Sequence, residues 1–238
     1  MIELSHVENV CGKLWNMYGP SIEEEFFNQD RFTNDDLIKE FFFVILGGFG
    51  ISYELNRSAL EVFTRAGLVN KELYKSELIL QSTTMILKDE LSKQQFEPRT
   101  KSGQYRKYRY LETKPRTITS AGYWLWSECG WIFEKKISTL DSLEARQWLC
   151  NCPGFGMKSA SWFLRNTGLS DDCAVFDIHI IRFLKQIGVT IPETITNKTY
   201  IQLEDLLRNI CKKIGVSLGK LDYLLWILGK NGLLAYVR

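Results

Sequence analysis

Lys158 and Asp177 are the two side chains of this sequence whose types and spacing suit covalent chemistry done together. Lys158 follows Pro153-Gly154-Phe155-Gly156-Met157, which places it in the first turn of the helix that must begin there. The positive end of a helix dipole, with partial burial, lowers an amine's pKa and leaves more of it neutral. A neutral amine is a nucleophile and a Schiff-base former. Asp177 lies nineteen positions further on, just before the apolar run Ile178 to Gln186. A helix from Met157 to Asn166 rises about 15 Å. Gly168 is a natural stop for it. Leu169 to Phe176, if extended, runs back about 26 Å, which is enough to bring the acid to the amine.

The turn between them adds a second function. Gly154 and Gly156 permit positive φ and close backbone approach by another molecule. The N–H groups that open the next helix have no helical partner and form an anion site suited to a DNA phosphate. Such contacts position a nucleic acid without reading its sequence. An amine and a carboxylate at a phosphate-binding turn point to attack at the sugar C1′ of a nucleotide. The carboxylate stabilises the positive charge that builds as the base departs. Each residue also has a plainer role. Lys158 alone would be a surface lysine, with or without a phosphate, and Asp177 alone would be a helix N-cap. Capping and catalysis are compatible, since both hold the carboxylate in one rotamer.

The rest of the chain must position this segment. Strand patterns are scarce and helix-period patterns recur, so the fold class expected is all-α, in two helical lobes. Asn34-Asp35-Asp36 caps a helix through Leu46 that Gly47-Gly48 ends. Further helices are expected at Tyr53–Arg65 and at Glu72–Leu91, the latter with Leu73, Leu78, Leu80, Met85, Ile86 and Leu87 inward. Others are expected at Ile118–Lys136, Leu140–Leu149, Tyr200–Ile214 and Leu218–Leu228. Gly47-Gly48-Phe49-Gly50-Ile51-Ser52 reads first as an interhelix turn, and alternatively as a turn that presents Phe49 to a ligand.

Net charge is only +2, but its distribution is uneven. Arg99, Lys101, Arg106, Lys107, Arg109, Lys114 and Arg116 face a single acid, Glu112, and Tyr105, Tyr108 and Tyr110 are interleaved. The stretch suits phosphate tracking with stacking rings, or else is a solvated basic loop. The six cysteines read as free thiols, because only Cys150 and Cys152 are close in sequence and a metal cluster needs four ligands. No metal is expected. The opening Met1-Ile2-Glu3-Leu4-Ser5 is unlike a secretory leader, and no apolar run is long enough for a membrane span. A cytoplasmic protein is expected, or a nuclear one in a eukaryote, with no membrane partner.

Leu149, Pro153, Gly154, Phe155, Gly156, Lys158, Ala160 and Asp177 match the pattern of the helix-hairpin-helix DNA glycosylase superfamily, with Cys152 in a place usually held by leucine. The chain resembles that superfamily as one unit over residues 1–238, with the hairpin motif at 140–187. Members with lysine here are bifunctional glycosylase–lyases. The four-cysteine iron–sulfur loop of some branches is missing, because only Cys211 lies beyond Asp177. Phe163-Leu164-Arg165-Asn166, Asp177-x-His179-Ile180-x-Arg182 and Leu221-Asp222-Tyr223-Leu224-Leu225-Trp226 look most like the compact second 8-oxoguanine DNA glycosylase family and its archaeal relatives. That group typically ends in a lysine, whereas this sequence runs on to Arg238.

The resemblance implies excision of 8-oxoguanine from double-stranded DNA by Lys158, with Asp177 assisting and β-elimination following. The nucleotide would be flipped into an active site in the cleft between lobes. Asp222, Trp226 and Phe49 would form the base pocket, with the plainer role of core packing equally open for Trp226. Gly154, Gly156, His179, Arg106, Lys107 and Arg109 would meet phosphate. No cofactor is required, beyond a monovalent cation that relatives bridge from hairpin to phosphate, and a monomer is expected. Two other readings stay open: another damaged base, an oxidised pyrimidine or a mismatch, and a non-enzymatic DNA-binding hairpin.

Overall fold

The computed structural model describes residues 4–27 and 32–236. The sequence's first three residues and Arg238 lie outside the described residues. The described residues hold eleven α-helices: α1 (Leu4–Phe27), α2 (Asn34–Leu46), α3 (Tyr53–Arg65), α4 (Glu77–Ser92), α5 (Lys114–Cys129), α6 (Phe133–Ile137), α7 (Ser142–Cys150), α8 (Met157–Asn166), α9 (Ile178–Gln186), α10 (Asn197–Ile214) and α11 (Leu218–Lys230). The only strand-like pairing among them is an isolated bridge between Phe96 and Arg106. None of these helices is long and apolar enough to cross a membrane.

The chain divides into two compact units, Met1–Arg31 with Met157–Arg238, and Phe32–Gly156. The first unit carries Lys158 and Asp177. Its core joins Val7, Val10 and Cys11 of α1, Phe183 and Leu184 of α9, Leu207 and Ile210 of α10, and Leu221, Leu224, Leu225 and Leu228 of α11. The second unit is built around α2, which is buried on every side from Phe41 to Leu46. Phe41 is fully buried, and its ring lies 5.1 Å from that of Phe155, 5.8 Å from Phe133 and 6.4 Å from Trp124. Truncating such a ring to alanine costs about 3–5 kcal/mol. Phe155, the apolar residue of the hairpin, is thereby anchored in the second unit's core.

Several helix boundaries differ from the sequence expectation for identifiable reasons. The cap of α2 is Thr33, whose hydroxyl takes the Asp36 N–H while Asp36 returns to the Thr33 N–H. The expected helix from Glu72 is a short 3-10 turn, Lys71–Leu73, followed by α4 with Ser76 as its cap. The face of α4 also differs. Thr83, Leu87 and Leu91 are buried, whereas Leu78 is 93% and Met85 67% exposed, with Ile86 also exposed. Thr83 can be buried because its hydroxyl donates to the Leu73 carbonyl at 2.7 Å, a partner that no count of apolar residues reveals.

The expected Ile118–Lys136 helix begins earlier and stops sooner. Pro115 sits in its first turn, where a missing N–H does no harm. Gly130, at φ 59°, ends α5, and α6 starts afresh at Phe133. Within α5, Gly122 is required by packing, since a Cβ there would lie 2.3 Å from the Tyr74 ring.

Candidate active site

The hairpin is built from capped elements. Asp141 caps α7, accepting from Leu143 N and Glu144 N at 2.9 Å each, and Glu144 bonds back to the Asp141 N–H at 3.0 Å. After α7 the buried Cys152 fills the leucine place of the motif, and burial raises its thiol pKa above the ordinary range. Gly154 has φ 88°, and a Cβ on it would meet the Thr117 methyl at 2.4 Å. Both the backbone and the space therefore demand glycine there.

Lys158 is the second residue of α8. Lys158 is exposed, yet enough protein surrounds its amine that desolvation holds its pKa below that of an ordinary lysine. The largest opposing influence is the Asp177 carboxylate, then Asp222, while Arg165 adds to the lowering. Asp177 is the N-cap of α9, with extended backbone at φ −82°. Its Oδ1 accepts from His179 N at 2.8 Å and Ile180 N at 2.9 Å. Asp177 thus has its expected role as a helix cap, and its charge is the largest of those acting on Lys158.

The segment leading to Asp177 is non-helical and tied down along its length. Gly219 N donates to the Asp171 carbonyl at 2.6 Å. Ala174 N donates to Glu204 Oε1 at 3.0 Å, and the Tyr200 hydroxyl donates to the Ala174 carbonyl. Val175 N donates to Asp222 Oδ1 at 2.8 Å.

Asp222 is where the structure departs from the expectation of a base-edge acceptor. It is fully buried, Oδ2 is ion-paired with the Arg165 guanidinium, and Oδ1 holds Val175. Burial raises its pKa to about 7 against the pull of Arg165. Neither oxygen faces solvent, so this carboxylate serves the interior. Trp226 remains half-buried, stacked on Tyr223 with ring centroids 5.8 Å apart and the Lys230 ammonium 5.4 Å from its own centroid. His179 is half-buried against α11, where a Cβ on Gly229 would lie 2.6 Å from the His179 Cβ.

A family model described as 8-oxoguanine DNA glycosylase matches residues 24–216. The chain belongs to the 8-oxoguanine DNA glycosylase family. A curated relative from Thermotoga maritima, named 8-oxoguanine DNA glycosylase/AP lyase, is 41% identical over 94 residues, covering 38% of this chain and 45% of that protein. The matched region thus spans less than half the length of that relative. The fold is shared with the crystal structure of the 8-oxoguanine DNA glycosylase of Thermotoga maritima, at TM-score 0.66 and 24% identity over 95% of this chain and 97% of that one. It is shared too with the Methanocaldococcus jannaschii 8-oxoguanine glycosylase/lyase in complex with a 15mer DNA containing 8-oxoguanine, at TM-score 0.64 and 21% identity over 94% of this chain and 97% of that one.

In this 8-oxoguanine DNA glycosylase family member, the basic stretch does more than offer charge. Four of its side chains hold five carbonyls of the 45–50 turn. Lys114 donates to Ile45 and Gly47, Tyr108 to Leu46, Tyr110 to Phe49 at 2.6 Å, and Arg109 to Gly50 at 3.2 Å. Gly50 has φ 71°, and Phe49 is left 82% exposed. Lys114 and Tyr108 are therefore corrections to the picture of a phosphate-tracking patch. Lys114 is half-buried with a pKa lowered to about 8 by desolvation, and Tyr108 is buried against Phe96. Arg106 is partly committed as well, its Nε donating to the Pro98 carbonyl at 2.7 Å. Lys107 is exposed.

Sequence reasoning missed the roles of Arg165, Lys114 and Tyr110. For Arg165 a signal existed, since it lies seven residues after Lys158 and so on the same helix face. For the other two there was none, because their partners are main-chain carbonyls about sixty to seventy residues away in sequence.

Proposed function

We propose that this protein is a bifunctional DNA glycosylase and AP lyase that removes 8-oxoguanine from double-stranded DNA. The observation that carries the reading is the placing of Lys158 in the first turn of α8 and of Asp177 at the cap of α9 within one compact unit, with that acid the largest charge acting on the amine. In the reaction the neutral Lys158 Nζ bonds to C1′ of an everted nucleotide. The N-glycosidic bond breaks, and the base leaves with its electron pair and takes up a proton. Asp177 stabilises the positive charge on the sugar and accepts a proton from the new ammonium. The C1′–O4′ bond then breaks to give a C1′=Nζ iminium, O4′ taking up the proton that Asp177 accepted; a C2′ proton is removed, and the C3′–O bond breaks by β-elimination with the 3′ phosphate as leaving group. Water releases the lysine.

The family's description as 8-oxoguanine DNA glycosylase and the 8-oxoguanine DNA complex of the Methanocaldococcus jannaschii enzyme of like fold support 8-oxoguanine as the lesion. The hairpin glycines Gly154 and Gly156, His179, Arg106, Lys107 and Arg109 would meet backbone phosphate, and Phe49 and Trp226 would offer rings to bases. This chemistry uses no cofactor, with the hairpin carbonyls as the place for a monovalent cation. One chain supplies both reacting groups, so a monomer suffices, acting where the genome is: in the cytoplasm, or in the nucleus of a eukaryote.

The test is borohydride trapping on a duplex with one 8-oxoguanine. The wild type should give a covalent protein–DNA adduct, and Lys158→Gln should give none while still binding the duplex. A mutant that traps at wild-type yield would remove Lys158 as nucleophile. A preference for thymine glycol or a mismatch on matched duplexes would change the lesion. Binding without base release from any of them would reduce the protein to a DNA-binding module.

A further inference from the structure

Asp222 is bonded to both elements that carry the reacting groups. Arg165 follows Lys158 by seven residues on α8, two helical turns along the same face. Val175 precedes Asp177 by two residues. Asp222, on α11, takes the Arg165 guanidinium on one oxygen and the Val175 N–H on the other, at 2.8 Å. The junction is closed: Asp222 is fully buried and the Arg165 side chain is 4% exposed. Arg165 is fixed further by its Nε and Nη2 donating to Asn166 Oδ1 at 3.3 and 3.0 Å. The start of α11 meets the same segment, with Gly219 so near Asp171 that a Cβ would lie 3.0 Å from its backbone.

We propose that Arg165 and Asp222 form a positioning pair that sets the separation of the Lys158 amine and the Asp177 carboxylate, acting through α8 and the 173–177 segment rather than by touching substrate. This rests on the glycosylase–lyase reading above. An ion pair is a poor choice for stability alone, because apolar side chains of like volume pack as well without the cost of removing charge from water. What the pair adds is direction. Two oxygens with two specific donors hold a helix and a loop in one register, which greasy contacts leave freer to slide.

The experiment uses the full chain with Arg165→Met and Asp222→Leu combined, which removes both charges and keeps the volume. Three quantities are measured: affinity for a duplex with a reduced abasic analogue, the single-turnover rate of borohydride trapping on a natural abasic site, and 8-oxoguanine excision. Binding should stay within about threefold of wild type, since the phosphate-contacting groups are untouched. Trapping and excision should fall together by about a hundredfold, as expected when reacting groups are misplaced by an ångström or so.

Should that variant not fold, Asp222→Asn, which keeps an acceptor for Val175 and loses the charge for Arg165, should give the same split. Trapping at the wild-type rate would overturn the proposal. So would a loss of binding as large as the loss of trapping, which marks a merely structural role. Normal trapping at a preformed abasic site with excision lost would overturn it too, and would return Asp222 to base reading. A wild type that traps on neither duplex would defeat the glycosylase–lyase reading and this proposal with it. Each of the other outcomes requires a wild type that traps.

Discussion

Tyr110 donates its hydroxyl to the Phe49 carbonyl at 2.6 Å, while the Phe49 ring itself stays 82% exposed. Tyr110 holds the left-handed conformation, at φ 62°, which is unfavourable for a bulky side chain and persists where surroundings impose it. Here the Thr113 and Lys114 N–H groups fix its carbonyl at 3.2 and 2.9 Å. A turn held this firmly around an exposed aromatic ring fits a ring that meets a base. Phe49→Ala should change stability by less than about 0.5 kcal/mol, as exposed positions do. It should lower excision about fivefold to 150-fold, the worth of ~1–3 kcal/mol of ring–base stacking. Tyr110→Phe should fall between. Thermal melts and single-turnover excision check this, and unchanged excision in Phe49→Ala would remove the ring from the site.

Asp177 carries two roles that substitution can separate. Asparagine caps a helix as well as aspartate does, whereas alanine loses about 1 kcal/mol. Asp177→Asn should therefore melt like the wild type and Asp177→Ala below it, while both lose most trapping. If Asp177→Asn keeps full trapping, the carboxylate is a cap alone.

The same substitution should move the pH dependence of trapping. Asp177 raises the Lys158 pKa, and desolvation lowers it by more. Without that charge the Lys158 pKa drops further. The acid limb of the rate profile, where the neutral amine first becomes available, should shift to lower pH in Asp177→Asn even as the maximum falls. An unmoved limb would mean that the two groups do not sense each other.

Lys114 gives a stability test with a definite sign. Its folded pKa of about 8 lies below the ordinary lysine value of 10.5. Between those pH values the unfolded chain binds the proton that the folded chain has lost, so this group's contribution to stability rises with pH across the window. Below pH 8 both states are protonated and the cost of burying the charge is fully present. Relative to Lys114→Met, the wild type should gain at most about 2–3 kcal/mol between pH 8 and 10.5, from 1.36 kcal/mol per pKa unit. Parallel curves in denaturant titrations would show that Lys114 is not desolvated.

The buried face of α4 is checked by two substitutions. Leu87→Ala should cost about 2–5 kcal/mol, since Leu87 is fully buried. Leu78→Gln should cost less than about 0.5 kcal/mol, since Leu78 is 93% exposed. The reverse order in urea unfolding would restore the face read from apolar residues alone.

The features legible in the residues were local ones. The all-helical class follows from 3.6-residue periodicity. Tyr53–Arg65 follows from an apolar stripe between Ser52 and Gly67. The hairpin and its lysine follow from Pro153, Gly154, Gly156 and Lys158, and the cap at Asp177 from an acid before an apolar run. Each depends on neighbours within a turn or two of helix, so the residue types carry the physics by themselves. That Asp177 lies near enough to act on the charge of Lys158 was also within reach, because rise per residue and a glycine stop bound where a chain can return.

Tertiary structure alone decided which polar groups are buried and by what they are satisfied. Asp222 changes from a base-edge acceptor to an internal partner of Arg165 and Val175. Lys114 changes from a phosphate contact to a donor for the end of α2. Thr83 displaces Leu78 from the buried face of α4. In each case the deciding partner lies on another element, often a backbone carbonyl or N–H that every residue possesses. Such groups have no signature in residue type, so a long-range hydrogen bond to the main chain is visible only once the chain has folded.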